Sequence, residues 1–467
     1  MEEQILGLAR SSRRRWWRRL DRWFYDPESR IDHHLRIAVG GDAVDQFVVS
    51  QKDLPAYRFV DTYRAIDRAV AGIPGVRRIK SSNDEDLNDL LHAKRASWVS
   101  REITLSPRAA WPIGPEEEVF LPVDQFWIFP GASSGDQVIA RLRFIRHDER
   151  LVLAVAAANP RRADEWIAKF VQDSLASSIY RGKNVAFVYE AGTRDEYGDP
   201  EKPARLRVSF RTATPVSQED FIVDREIYKI LWRNVIDLHE RRELLKNHGV
   251  PIRRGLLLYG PPGTGKTFAC RYLSGRLTET ACIFAAGTTL EQAAKVFEFA
   301  RAYQPAIVFL EDVDLVFSSR DISLHASALG DLLDLMDGLR PFEDVGVVLT
   351  TNSIERLEAA IKDRPGRISQ CVYMGPPRKE LRRLYIAQYA KGYDREATDF
   401  EKLVEMSQGT TPAFIKEWVH RAVQIATERI EESELKPKLM TKDFEEAYAE
   451  MKHATDKFSR RIVGFLE

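Results

Sequence analysis

No stretch constrains this chain more than Gly255-Leu256-Leu257-Leu258-Tyr259-Gly260-Pro261-Pro262-Gly263-Thr264-Gly265-Lys266-Thr267. Its first part is a short apolar run of the kind that forms a buried parallel strand. A G-x-x-x-x-G-K-T loop from Gly260 to Thr267 follows at once, and Phe268–Leu273 continues with no helix breaker. Strand, loop and helix in this order are the context in which such a loop cradles phosphate. Glycines let the backbone wrap closely where a Cβ would obstruct it. Backbone N–H groups and the helix N-terminus then face the anion. The sequence therefore predicts a nucleotide held by Gly260, Pro261, Pro262, Gly263, Thr264, Gly265, Lys266, Thr267 and Phe268. Lys266 would neutralise the β- and γ-phosphates, and the Thr267 hydroxyl would hold Mg²⁺.

Downstream, strand and helix patterns alternate, which predicts a parallel sheet with helices on both faces. Ala306–Leu310 is an apolar run ending in Glu311-Asp312, and Val345–Leu349 ends in Thr350-Thr351-Asn352. Polar groups thus sit at the C-terminal ends of strands, where ligands bind in open α/β sheets. From Pro376 the pattern turns helical, with four expected helices at 381–390, 400–407, 413–430 and 442–451.

Four ordered motifs, Gly260–Thr267, Ile307–Asp314, Thr350–Asn352 and Arg364-Pro365-Gly366-Arg367, resemble the AAA ATPases, the ring-forming branch of P-loop proteins. The resemblance covers about Asp220 to Lys452. It implies ATP hydrolysis with Mg²⁺ in a homo-oligomeric, hexameric ring. It places Glu311 with Thr267 at the metal, Asp312 on the attacking water and Asn352 on the γ-phosphate. Arg367 would be the finger that reaches a neighbouring subunit's site, with Lys266 completing the catalytic set. The usual order of the acidic pair is Asp then Glu. Here it is reversed, as in the mitochondrial AAA type that translocates the Rieske protein; the membrane span of that type is not found in this sequence. The resemblance also makes the C-terminal helices a lid over the adenine, with Leu384, Gln388 and Gly409 as candidate wall residues. Many relatives carry a second arginine three positions after the first, but Gln370 stands there. Protein-threading rings place an aromatic residue in a loop after the second strand. Ala285–Gln292 has none and runs directly into a helix.

The remaining chain is read from its own pattern. With 467 residues there is room for about three domains. Residues 1–30 form a basic amphipathic segment in which Arg10, Arg13, Arg14, Arg15, Arg18, Arg19 and Arg22 alternate with Trp16, Trp17, Leu20, Trp23 and Phe24. Such a helix could rest on an anionic membrane, contact nucleic acid, or dock its aromatic face on protein. Residues 31–215 read as an α+β domain of unnamed type, without clustered His, Cys or paired carboxylates at catalytic spacing. A partner-recognition role suits it better than a second active site. Lys+Arg and Asp+Glu both number 70, so no overall charge excess points to nucleic acid or lipid. Cys270, Cys282 and Cys371 show no metal-ligand spacing, and their small odd number without a secretory signal fits a reducing, cytoplasmic setting. The expected organisation is thus an α/β P-loop domain at 216–375, a helical lid at 376–452 and a tail at 453–467.

Overall fold

The structure, a computed structural model, describes residues 29–39, 46–92, 101–131, 136–146, 149–190, 193–194, 200–202, 205–212, 216–252, 254–314, 334, 343–355, 368–429 and 437–452. The Arg/Trp segment 10–24, Arg364, Arg367 and the tail 453–467 lie outside the described residues. The chain divides into two compact units, Met1–Ile179 and Tyr180–Glu467.

The first unit contains strands β1 (Val48–Leu54), β2 (Arg77–Ile79), β3 (Arg108–Pro112), β4 (Glu118–Pro122), β5 (Asp124–Phe129), β6 (Val138–Ile145) and β7 (Arg150–Ala157). Five of them form an antiparallel sheet in the order β1-β7-β6-β5-β2, and β3 pairs with β4. The period-two alternation of β5 splits its side chains between two faces. Phe126 and Ile128 pack in one core with the helices Ile31–Ala38 and Leu87–Leu91. Trp127 meets Tyr63 of the helix Phe59–Ala71, and Phe129 meets Trp166 and Phe170 of the helix Pro160–Ala176. Helices on both faces explain why all of β5 is buried. The α+β reading of this region holds, and β6 and β7 pair antiparallel. Across the sheet, Arg141 pairs with Asp124 at 2.6 Å and donates to the backbone of Asn83 at 2.7 Å and Glu85 at 2.6 Å. With its donors so matched, this buried pair fixes the 83–85 loop to the sheet.

The second unit begins earlier than the boundary drawn at 215. Strands β8 (Asn184–Glu190) and β11 (Arg205–Phe210), with the short β9 (Thr193–Arg194) and β10 (Pro200–Lys202) between them, do not join the sheet of the first unit. β8 runs parallel to β13 (Ala281–Ala286), and β11 pairs antiparallel with β8. With β12 (Gly255–Tyr259), β14 (Ala306–Glu311), β15 (Val345–Thr351) and β16 (Gln370–Tyr373) they make a seven-stranded sheet in the order β11-β8-β13-β14-β15-β12-β16. The physical reason is burial: β13 is apolar throughout and β14 is apolar up to Glu311, and β13 would otherwise expose its backbone groups as an open edge. All contacts in this sheet are parallel except β8 with β11.

Ahead of β12 the chain forms Arg225–Leu231, a π-turn at Trp232–Ile236, Asp237–Glu240 and Arg242–Asn247. The lid has the four expected helices, Lys379–Tyr389, Phe400–Met406, Pro412–Thr427 and Thr441–Lys452. Their own core is built on Ile386, Leu403, Phe414, Trp418 and Phe444, with the Trp418 indole donating to the Phe444 carbonyl at 2.7 Å. Among the described residues no helix is long and apolar enough to cross a membrane.

Candidate nucleotide site

The phosphate loop leaves the end of β12 and enters the helix Lys266–Ser274. Gly260 has φ +146°, and a Cβ there would lie 2.1 Å from the Met374 carbonyl oxygen, so only glycine fits. Gly263, at φ +78°, faces the lid: an added Cβ would come within 2.9 Å of the Ala413 Cβ. The Ala413 N–H donates to the Gly263 carbonyl at 3.1 Å. The lid helix Pro412–Thr427 therefore starts on the loop itself, with Thr411 capping it through the Phe414 N–H. Gly409, at φ +75°, makes the turn that brings this segment in. Thr264 Oγ1 donates to the Pro261 carbonyl at 2.8 Å, tightening the loop.

Lys266 is buried, and its Nζ donates to the carbonyls of Gly260 at 2.7 Å and Pro261 at 2.9 Å. Burial pulls its pKa down, and the carboxylates of Asp312 and Asp314 pull it back up. The Thr267 hydroxyl acts on the Glu311 carboxylate, favouring its charged form. Burial raises the pKa of Glu311; Arg211 opposes this, Asp312 adds to it, and Arg271 and Thr267 oppose it. Glu311 Oε1 is buried with no hydrogen-bond partner. A buried carboxylate oxygen beside a hydroxyl suits a hard cation that keeps water and phosphate as its other ligands. Among the described residues no group of three or more His, Cys, Asp or Glu forms a closed metal cage, and such a cation does not need one.

Asp312 has φ +50°, a left-handed conformation that aspartate tolerates better than most residues. Its N–H donates to Thr350 Oγ1 at 2.9 Å, which ties the end of β14 to β15. Asn352 Nδ2 donates to Asp312 Oδ1 at 3.3 Å. Asp314 Oδ1 accepts the Thr351 hydroxyl at 3.0 Å and the Asn352 N–H at 3.1 Å. Glu311, Asp312 and Asn352 are thus gathered with Lys266 and Thr267 at the C-terminal edge of the sheet. Sequence reasoning left out Asp314, Thr350 and Ala413. The first two stood inside the quoted motifs, whereas only the folded chain brings Ala413 to the loop.

The adenine candidates are placed differently from one another. Gln388 Nε2 donates to the Asp220 carboxylate, and the neighbouring Tyr385 hydroxyl donates to the Ile222 carbonyl, so this face of the lid helix meets the segment that precedes the π-turn. Leu384, one turn before Gln388 on that helix, is 52% exposed, in a groove with Lys379, Glu380, Arg383 and Glu401. Phe268 is 39% exposed at the start of the loop helix, with the Phe221 ring 6.3 Å away. Downstream, Gly287–Gln292 forms a 3₁₀ helix that runs into the helix Ala293–Ala302. Thr289 Oγ1 donates to the Phe187 carbonyl at 3.4 Å, which pins this segment to β8.

Fold and site together define a P-loop nucleotide-binding domain with a helical lid. Residues 256–376 match the family model "ATPase family associated with various cellular activities (AAA)", and the chain carries an AAA ATPase domain. Curated relatives agree. The chain is similar to Protein SAV of Sulfolobus acidocaldarius, 26% identical over 60% of this chain and 39% of that protein. It is 30% identical to the 26S proteasome regulatory subunit 8 homolog of Schizosaccharomyces pombe over 42% of this chain and 52% of that protein. It is 29% identical to the Cell division cycle protein 48 homolog of Archaeoglobus fulgidus over 49% of this chain and 33% of that protein. The chain thus spans about half or less of the length of these relatives. A solved chain under the heading "Structural Basis for Katanin Self-Assembly" superposes with a TM-score of 0.40 at 21% identity, over 50% of this chain and 84% of that one.

Proposed function

We propose that this protein is a Mg²⁺-dependent ATP hydrolase that works as a homo-oligomeric, hexameric ring and remodels or assembles a partner protein held by its N-terminal domain. One observation carries the hydrolytic part. The phosphate-loop Lys266 and Thr267, the acidic pair Glu311 and Asp312, and Asn352 converge on one edge of the sheet, with Asn352 bonded to Asp312. Thr267 and Glu311 would hold the Mg²⁺, which supplies charge neutralisation at the phosphates. Lys266 balances the same phosphates, Asn352 aims the Asp312 carboxylate, and Asp312 takes the proton of the attacking water. Arg367 would complete the site of a neighbouring subunit. A relative that is a regulatory subunit of the 26S proteasome supports an assembled working state.

The pinned, aromatic-free segment 285–292 supports action on the partner through the N-terminal domain rather than by gripping an extended chain. The left-handed Asp312 favours a second reading, a nucleotide-controlled binding module with slow turnover, since the reversed acidic pair carries its carboxylates at altered reach. Steady-state turnover and equilibrium nucleotide binding test the main reading. Lys266→Ala is expected to abolish turnover and weaken binding. Turnover near wild type in that variant would overturn the assignment of this loop.

A further inference from the structure

Antiparallel pairing in the first unit sets side chains in rows across three strands. Gln51 of β1 pairs with Ala154 of β7, which pairs with Arg141 of β6; one row on, Asp53, Val152 and Arg143 align in the same way. Residues paired directly share a face of the sheet. The middle strand thus carries short side chains between long ones, and a recess of about 220 Å³ lies over Ala154 and Val152. Gln51, Arg141, Arg143 and Arg150 wall it. The acidic residue in its lining is Asp86, which caps the helix Leu87–Leu91 by accepting the Asp89 N–H at 2.8 Å.

The three guanidinia are held unequally. Arg141 is matched by Asp124 and by the backbone of Asn83 and Glu85. Arg143 donates to Asp84 Oδ1 at 3.0 Å, and that carboxylate is fully exposed. Burial lowers the pKa of Arg143 and Arg141 lowers it further, against the pull of Asp124 and Asp84. Arg150 donates to Asp53 Oδ2 at 2.7 Å, with both side chains about half exposed. Ion pairs this exposed contribute little, so an incoming carboxylate can take the place of either acid at small cost.

The recess opens on an edge. Among the described residues β1 pairs only with β7, so alternate residues along it turn their N–H and C=O groups away from the sheet. With seven residues β1 is longer than the edge strands β2, β11 and β16. Gln51, Lys52 and Asp53 are all exposed, so the strand is open on both faces there. This polar run discourages pairing with an apolar strand.

We propose that the edge of β1 and the recess beside it receive an extended, acidic segment of the partner protein. The segment adds a strand to β1 through backbone hydrogen bonds, and one of its carboxylates enters the recess to bind Arg143 and Arg150. The Arg150 guanidinium already reaches β1 at Asp53, so an acid on the next strand lies beside it. The Gln51 amide offers a further donor, and Lys52 a cation on the opposite face. The proposal rests on the reading that the N-terminal domain holds the partner.

The test uses the full chain and a short fluorescent peptide of alternating Thr and Glu, whose period of two puts every carboxylate on one face of a strand. Its counterpart alternates Thr and Gln. Anisotropy reads affinity, and hydrogen exchange reads the place of binding. The acidic peptide is expected to bind at least tenfold more tightly than the neutral one, with the preference shrinking as salt rises, and to slow exchange within Val48–Leu54. Arg143→Gln combined with Arg150→Gln should abolish the preference and leave basal ATP turnover unchanged, since neither residue belongs to the nucleotide site. Arg143→Lys combined with Arg150→Lys should keep it. Arg150→Gln alone, at a half-exposed side chain, should weaken the acidic peptide at least threefold even where the double variant fails to fold. Equal affinity for the two peptides, or no binding of either, would overturn the proposal. So would displacement of the peptide by equimolar inorganic phosphate, which would make the recess a small-anion site. Protection elsewhere in the first unit would overturn the β1 site and leave the N-terminal domain as the holder of the partner; protection confined to the second unit would overturn both.

Discussion

Thr350 has no place in the phosphate loop, yet the geometry makes turnover depend on it. Its buried Oγ1 accepts the Asp312 N–H at 2.9 Å and so helps hold that residue at φ +50°. Thr350→Val removes the acceptor and keeps the shape. The Asp312 N–H is only partly buried, so its loss should cost near the lower end of the usual range, about 1 kcal/mol of stability. For a domain of this size that is a fall in Tm of about 2–4 °C. The larger consequence is local. The left-handed conformation costs roughly 1–2 kcal/mol, and without the bond the chain is freer to leave it. The Asp312 carboxylate then loses its 3.3 Å contact with Asn352 Nδ2. Displacement of a reacting group by about 1 Å costs on the order of 10²-fold in rate. We therefore expect Thr350→Val to lower turnover by about 10- to 100-fold. Nucleotide affinity should stay within about twofold, since Lys266 and Thr267 are untouched; 10-fold in rate corresponds to about 1.4 kcal/mol. Thr350→Ser keeps an acceptor and should retain most activity. The assays are steady-state turnover, equilibrium nucleotide binding and a melting curve. Unchanged turnover in the valine variant, or a serine variant as impaired as the valine one, would refute the reasoning.

Two further perturbations follow from buried groups. Gly260→Ala would press a Cβ to 2.1 Å from the Met374 carbonyl at a φ that disfavours any side chain, so it should lose nucleotide binding and lower Tm, and normal binding in that variant would contradict the loop geometry. His239 is buried with both ring nitrogens unpartnered, and burial, then Arg242, lowers its pKa from 6.5 to about 4. The folded state prefers the neutral ring, so its full contribution is present above pH 6.5 and is lost as pH falls from 6.5 towards 4, by about 2–3 kcal/mol at pH 4.5. Denaturant unfolding at pH 7.5 and pH 4.5 should show this loss in the wild type but not in His239→Gln; equal pH dependence of the two would refute it.

Much of the catalytic edge was legible because its parts are contiguous in the chain. A buried-strand run that ends in a glycine loop, or in two carboxylates, states both the strand and the face it presents. The lid helices were legible for the same reason, since their apolar period is local. The membership of β8 and β11 was not. Val185–Tyr189 and Leu206–Phe210 have a strand pattern that either sheet could accept, and the composition break at Pro215 drew the boundary too late. What decided it was the need to cover the edge of β13, a partner nearly a hundred residues away. The left-handed Asp312 is a backbone fact that its residue type permits without announcing it. Leu384 and Gln388 share a helix face, but the sequence did not say that Leu384 stays exposed while Gln388 bonds Asp220.

The central claim is that Asp312 and its neighbours hydrolyse ATP in a ring where Arg367 completes the next subunit's site. Mixing Arg367→Ala with Asp312→Asn tests it most directly. Each variant alone should bind nucleotide and lose at least about tenfold in turnover, about 1.4 kcal/mol of transition-state stabilisation. Mixed rings should recover part of the activity, because some interfaces then pair an intact acidic site with an intact arginine. Mixtures no more active than the sum of the separate variants, or a fully active and strictly monomeric wild type, would contradict the account.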